Sequence, residues 1–562
     1  MALRGRLRLL AGALAAWAIV VLLRLVQVQV IDHTEWLAEA SRQQEQQVEV
    51  EAPRGEIRTR DGRLLAGSLE RVAIYANPRK LPRESWPSMA VKLSPLTGLP
   101  ASEVLRRLGA HDGFFYLARD LDPAVAPEVA RLRQRGIGTL RMERREYPHH
   151  QFAAAVVGFV DASGTGQAGL EASYDRTLAG TPSVYRLLRD GKSFPTPLDL
   201  RLDKPGRPGL TLRLTLDSRV QQVVEEELSR TLEEVSGAGA AGVVMDPTNG
   251  QLLAIASLPT YDPASVASVP SEWWRNRAVE AVYEPGSVFK PVIVAAALAN
   301  GSVNAREYVD CSGGGVQVAG AFIRDHANYG VLPLRDVLAK SSNAGTIRIA
   351  HRLTPETLDA AIRRFGFGRP TGVELPAEGR GLYHPVEKWS ALSRAGLAIG
   401  QEISVTPLQI AQAYAAMANH GVMVHPTLVL ETLDDDGNVI APSGPNPGKA
   451  VLSPQVAGAL VEMLSAVVDE GTGRAAAVSG FQVGGKTGTA QKAVGGSYAS
   501  GQHVAWFAGF LPLPNPRLVI VVCIDQPEGS FWASDVAAPA FGRIAARLVT
   551  LLGLRPGSLE TA

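Results

Sequence analysis

The segment 209–552 predicts an α+β domain built on one antiparallel sheet, and two observations carry that prediction. Its start, AAGVVMDPTNGQLLAIAS (residues 240–257), is an apolar run, a turn at Asp246–Gly250 and a second apolar run. That pattern is a β-hairpin. Its end holds three more strand-like runs, FQVGGKTGTAQK (481–492), VAWFAGFLP (504–512) and PRLVIVVCID (516–525). What lies between reads mostly as helices, so strands at both ends are expected to join in one sheet.

Each element has its own warrant. LTLRLTLD (210–217) alternates as a strand does, and SRVQQVVEEELSRTLEEV (218–235) is an amphipathic helix opened by Ser218. A Gly/Ser-rich loop, Ala493 to Gln502, is expected between the first two C-terminal strands, and APAFGRIAARLVTLLG closes the domain as a helix. Ahead of it, KPGRPG (Lys204–Gly209) reads as a linker. Residues 80–205 mix helices such as PAVAPEVARLRQRG with glycine-punctuated loops such as DASGTGQAGLE. APRGEIRTRDGRLLAGS (52–68) reads as short strands broken by Gly55 and Asp61-Gly62, and 32–48 as a polar, helix-compatible stalk.

The chain of 562 residues is too long for one core. Its net charge of +1 argues against a nucleic-acid partner. Cys311 and Cys523 form no metal or redox motif and are expected to be two separate core residues, and no cofactor is expected. At the N-terminus, Arg4, Arg6 and Arg8 precede the uncharged run Leu9–Leu23, which extends past Arg24 to Ile31. That is the pattern of an uncleaved anchor, with Arg24 snorkelling to the far interface. The basic flank keeps the N-terminus cytoplasmic and places the rest outside, where chemistry has to be driven by the substrate itself.

Three short motifs carry chemistry. In YEPGSVFKP (283–291), Glu284-Pro285-Gly286 is a turn, and a helix follows that ends at Gly301. Pro291 fits the first turn of a helix, which sets Ser287 at its entrance. Lys290, one of ten lysines against forty-six arginines, lies three residues on and can reach the Ser287 hydroxyl. The helix is apolar all round; burial of that kind turns a lysine into a base, a role closed to arginine. The second motif is Ser341-Ser342-Asn343, and Ser302-Val303-Asn304 has the same form. The third is GGKTGT (Gly484–Thr489), with Lys486 as a fixed positive charge, Thr487 and Thr489 as hydroxyls, and Gly484, Gly485 and Gly488 admitting a second backbone. Asp325-His326 finds no partner motif and is assigned to a loop.

The ordered set Ser-x-x-Lys, Ser-x-Asn, Lys-Thr-Gly resembles that of penicillin-binding proteins and class A β-lactamases. APRGEIRTRDGRLLA and REYPHHQFAAAVVGFVDASGTGQAGLEASYDRTLAG resemble the non-catalytic domain of class B penicillin-binding proteins, with Thr59 where that family usually has aspartate. AIGQEISVTPLQIAQAYAAMANHG and DEGTGRAAAVSGFQVGGKTGTAQK are similar to their transpeptidase domain. The FtsI-type, division-specific branch is the most similar, with the elongation-specific branch as the alternative and a membrane-bound β-lactamase or β-lactam sensor as a more distant one.

The resemblance implies a cytoplasmic tail (1–8), a membrane anchor (9–31), a pedestal of the dimerisation type (32–208), a transpeptidase domain of the penicillin-binding, β-lactamase-like fold (209–552) and a tail (553–562). It implies catalytic roles for Ser287, Lys290, Ser341, Asn343 and Lys486, and substrate binding by Thr487, Gly488 and Thr489. Implied partners are peptidoglycan stem peptides (a D-Ala-D-Ala donor and an amine acceptor), β-lactams as covalent inhibitors, and a SEDS glycosyltransferase of the FtsW or RodA kind with other divisome proteins.

Overall fold

The apolar runs at the two ends of the domain do meet in one sheet. In the computed structural model, which describes residues 2–32, 45–50, 52–188, 200–442, 444, 446–494 and 497–556, five strands run antiparallel. Their order is Leu252–Leu258, Gly239–Met245, Leu518–Asp525, Ser497–Leu511 and Gly484–Val494. Successive side chains of a strand point to opposite faces. Phe507, Ile520 and Val522 enter a core with helices Ser218–Val235 and Ala537–Leu551; Trp506, Ala508 and Val521 enter the other, with helices Lys290–Ala299 and Pro407–Ala418. Both faces are covered. That is why LVIVVCI reads as a continuous apolar run rather than an alternating one.

The chain divides into two compact units, 1–53 with 179–209, and 54–178 with 210–562. In the first, Ala2–Val26 is α-helical and continues through a π-helical turn, Gln27–Ile31. Gly5–Ile31 is long and apolar enough to cross a membrane. Three antiparallel strands follow, with Ser183–Leu188 between Glu45–Val50 and Leu200–Lys204. Residues 45–48, expected as helical stalk, are therefore strand, whereas 33–44 lie outside the described residues. The expected linker is paired as well: Arg207 and Thr181 exchange both backbone hydrogen bonds at 2.9 Å.

The second unit adds a sheet in which Thr211–Leu214 lies between Ile57–Arg58 and Val429–Leu433. Leu64–Ala76, expected to be short, runs for 13 residues and pairs with Phe115–Leu121 and Ile137–Glu146. Sequence reasoning missed both partners. Ile137–Glu146 carries five charges in ten residues and is held by its backbone ladder, so it shows no apolar alternation. The loop expected at 493–502 is also largely strand, because Ala493 pairs with Tyr498 and Val494 with Ser497. Asp217, not Ser218, caps the first helix by accepting from Arg219 N; the Ser218 hydroxyl donates instead to Asp61 Oδ2 at 2.6 Å.

A buried ion cluster ties this unit together. Glu171, fully buried, takes Arg54 Nε and Arg145 Nε at 2.6 Å each, and Arg54 Nη1 reaches Asp175 at 2.8 Å. Removing one partner leaves buried charge uncompensated, which costs about 3–5 kcal/mol. Glu171→Ala is therefore expected to lower the unfolding free energy by about that amount in denaturant titration. A loss within error would show that water reaches these guanidiniums.

Candidate active site

Ser287 lies in a 3-10 turn, Gly286–Phe289, that runs straight into the α-helix Lys290–Ala299. Pro291 sits in the first turn of that helix, as expected. Glycines at three crossing points bring chain segments together here. A Cβ on Gly488 would stand 2.6 Å from Pro285 O, and one on Gly400 would stand 2.0 Å from Gly286 O. Gly286 itself has φ +56°, and a Cβ there would lie 3.0 Å from Thr489 O. The serine turn is thus pressed against the edge strand Gly484–Val494 on one side and the Gly400 turn on the other. From below, the buried Tyr414 hydroxyl donates to Val288 O at 2.9 Å.

Lys290 is fully buried. Its Nζ lies 2.6 Å from Ser341 O, 2.7 Å from Asn343 Oδ1 and 3.2 Å from Ser341 Oγ. The first two partners can only accept, so two N–H groups are committed to them. The remaining position faces a hydroxyl, which accepts from an ammonium and donates to a neutral amine. Burial pulls the Lys290 pKa down to about 7, against the opposing field of Asp325. The amine makes no hydrogen bond to Ser287, because its donors are taken by the second motif. Such contacts commonly tighten only when substrate is bound.

In Ser341-Ser342-Asn343 the three residues divide the work. Ser341, at φ +57°, turns the chain. Ser342 caps the helix Asn343–Ala350 by accepting from Gly345 N at 3.0 Å, which leaves Ser341 and Asn343 for Lys290. The look-alike trio at Ser302–Asn304 is only a turn, in which Asn304 Oδ1 accepts from Arg306 N.

Sequence reasoning missed Asp325. Its carboxylate accepts from Asn343 N, from the Ser342 hydroxyl (2.7 Å) and from Ala344 N (3.3 Å), so it fixes the whole motif. It follows a strand, Ala321–Arg324, whose Arg324 O accepts from Asn343 Nδ2 at 2.8 Å. An acid 17 residues upstream of Ser342 leaves no local signal. Beside it, His326 packs edge-on to Trp532 at 5.5 Å. Burial holds its pKa below the usual histidine range, with help from Lys290 and Lys486.

The third motif lies on the open edge of the five-stranded sheet, with Lys486 opposite Ala508 and Thr489 opposite Ala505. Gly484 and Gly485 make room for the rings of Phe510 and Phe507, and Gly488 for the serine turn. The Thr487 hydroxyl pairs with Thr472 Oγ1 at 2.7 Å, and Thr489 Oγ1 accepts from Ala533 N at 3.0 Å. Lys486 is fully buried, and its Nζ donates to Thr487 O at 3.1 Å. Burial, then repulsion from Lys290, push its pKa well below the usual lysine value.

All eight expected residues therefore converge from three separate stretches, 287–290, 341–343 and 486–489. Comparison with known proteins places the chain in a family. Residues 240–546 match the penicillin binding protein transpeptidase domain, and residues 49–214 match the penicillin-binding protein dimerisation domain. The chain belongs to the class B penicillin-binding proteins.

Within this family it is 34% identical over 514 residues to stage V sporulation protein D of Bacillus subtilis, covering 90% of this chain and 79% of that protein. It is 30% identical over 567 residues to peptidoglycan D,D-transpeptidase FtsI of Escherichia coli, covering 99% and 93%. Penicillin-binding protein 3 of Mycobacterium tuberculosis, solved with aztreonam, superposes with a TM-score of 0.71 at 30% identity, covering 91% of this chain and 98% of that one. As in other class B penicillin-binding proteins, a dimerisation domain precedes the transpeptidase domain.

Proposed function

We propose that this penicillin-binding protein crosslinks peptidoglycan stem peptides during septal wall synthesis, anchored by Gly5–Ile31 in the cytoplasmic membrane with its catalytic domain outside. Its activity is that of a serine-type peptidoglycan D,D-transpeptidase. The observation that carries the mechanism is the buried Lys290 amine, poised near neutrality between the serine turn and the Ser-x-Asn motif.

Ser287 Oγ attacks the penultimate D-Ala carbonyl as neutral Lys290 takes its proton. The N–H groups of Ser287 and Thr489 hold the oxyanion. Lys486, Thr487 and Thr489 hold the terminal carboxylate, with Gly488 letting the strand close on the serine turn, and Asn343 holds the donor amide. Ser341 hands the proton to the departing D-Ala amine. An amine of a neighbouring stem then attacks the ester, releases Ser287 and forms the crosslink. Peptide-bond energy is kept in the ester, so no nucleotide is consumed. A SEDS glycosyltransferase of the FtsW kind is the partner proposed in the same membrane.

Support for the septal role is the likeness to FtsI over nearly the whole of both chains. Two measurements test the reading. The adduct formed with penicillin is expected to persist for hours by intact-mass analysis, whereas turnover in milliseconds would mark a β-lactamase. A fluorescent fusion is expected at mid-cell, and a side-wall distribution would assign the chain to elongation instead.

A further inference from the structure

Among the described residues, no backbone hydrogen bond joins the serine turn Gly286–Phe289 to the edge strand Gly484–Val494. The two press together through glycines. Contact of that kind limits how close they come, but it does not stop them from parting or sliding. Side chains supply the connection. One bridge is exposed: the Tyr498 hydroxyl, at the hairpin tip, reaches both Glu284 oxygens at 3.2 Å. The other is largely buried and runs through a third strand. Gly488 and Ala490 face the turn, and Lys492 is next in the alternation. Lys492 Nζ reaches past the neighbouring strand Ser497–Leu511 to hold both carboxylate oxygens of Asp525 at 2.8 Å. The hydroxyl of Tyr283, four residues ahead of Ser287, donates to Asp525 Oδ2 at 3.2 Å. The Lys492 ammonium also lies 5.8 Å from the centre of the Tyr283 ring, within cation–π range. One carboxylate thus takes a group from the serine segment and a group from the edge strand.

Each of the three residues is itself held. Asp525 is 7% exposed and pairs in register with Gly239 on one side and Val504 on the other. Tyr283 and Val405 exchange both backbone hydrogen bonds, at 3.0 and 2.8 Å, and the Tyr283 ring packs edge-on to Trp506 at 6.1 Å. Between Tyr283 and Ser287 stand only Glu284, Pro285 and Gly286, and the proline ring stiffens that link at φ −74°. A displacement of Tyr283 is therefore passed to Ser287. An ion pair with so little exposure adds little stability over an apolar pair of the same volume. What it adds is direction, since hydrogen bonds hold both distance and angle.

We propose that Asp525 is the common anchor that sets the serine turn and the edge strand at the spacing catalysis needs, with Tyr283 and Lys492 as positioning residues. The inference rests on the preceding reading, in which the oxyanion is shared between the Ser287 N–H on the turn and the Thr489 N–H on the strand. Loss of an oxyanion donor costs about 10²–10³-fold in rate, and a misplacement of about 1 Å can cost 10²-fold. Loosening the spacing with both donors still present is expected to cost about tenfold. The complex that precedes acylation is held by Lys486, Thr487 and Asn343, so its affinity is expected to stay.

The test uses the full-length chain and a chromogenic cephalosporin in stopped flow, so that the acylation rate constant and the dissociation constant of the preceding complex are read separately. Tyr283→Phe keeps the ring on Trp506, and Lys492→Met keeps most of the aliphatic stem. Each is expected to lower the acylation constant about tenfold and to leave the dissociation constant within about twofold. The double variant is expected to lose no more than either single one, because each alone uncouples the two segments; independent structural losses would multiply to about a hundredfold. Lys492→Arg, which restores a cation able to grip both oxygens, is expected to recover the rate to within about threefold. Rates are referred to the fraction of chains that label, so partial misfolding does not imitate the effect. Single variants with acylation constants within about twofold of the parent, losses that multiply in the double variant, or a loss that falls on the dissociation constant would each overturn the anchor. Failure of the preceding reading shows separately, as a label on the unaltered chain that maps away from Ser287.

Discussion

Ser287→Ala is expected to abolish covalent labelling by a fluorescent penicillin, not merely to slow it. The reason lies in what the neighbouring hydroxyls are doing. Ser341 is 5% exposed, and both its oxygens face Lys290. Ser342 is fully buried, with its hydroxyl donated to Asp325 and accepting from Gly345 N. Thr487 and Thr489 are hydrogen-bonded to Thr472 and Ala533. Ser287 alone of these combines partial exposure with a hydroxyl that has no hydrogen-bond partner among the described residues. A labelled band that persists in the variant, with the adduct mapped by peptide mass to another residue, would dethrone Ser287 as nucleophile.

Lys290→Ala is expected to cut the penicillin acylation rate by about 10²–10⁴-fold at pH 8, the usual contribution of a general base. Lys290→Arg is not expected to restore it, because a guanidinium keeps its proton. The pH dependence has a definite sign. Burial lowers the Lys290 pKa to about 7. The amine is then mostly protonated at pH 6 and mostly neutral at pH 8, and only the neutral form accepts the serine proton. Acylation by the unaltered chain should rise with pH and level off above neutrality, with an inflection near 7. A flat profile between pH 6 and 8, or an unchanged profile in Lys290→Ala, would place the base elsewhere.

Much of the site was legible because its chemistry is written in short local words. Ser287 and Lys290 share one turn of helix, and Lys486 to Thr489 are consecutive on one strand. Burial of Lys290 followed from a helix with no polar face. What stayed hidden depends on long-range packing. Asp325 acts on a motif 17 residues away through backbone N–H groups, and nothing around it in sequence announces that role. The downward pull on the Lys486 pKa comes from burial and then from Lys290, nearly two hundred residues earlier, and neither can be read from GGKTGT alone. In the fold, Ile137–Glu146 was missed because its strand character comes from pairing with Leu64–Ala76, not from its own alternation. Gly484 and Gly485 were expected to admit a backbone, yet they make way for Phe510 and Phe507.

The order of strands in the catalytic sheet has a consequence for how the enzyme matures. Gly239–Met245 and the hairpin bearing Lys486 are not neighbours; Leu518–Asp525 lies between them and pairs with both. In chain order Gly239–Met245, the Ser287 turn and the strand Gly484–Val494 all precede it, and without it the hairpin has no partner in the sheet. The last strand to emerge is the keystone. The catalytic sheet should therefore close in a single step, when that strand takes its place.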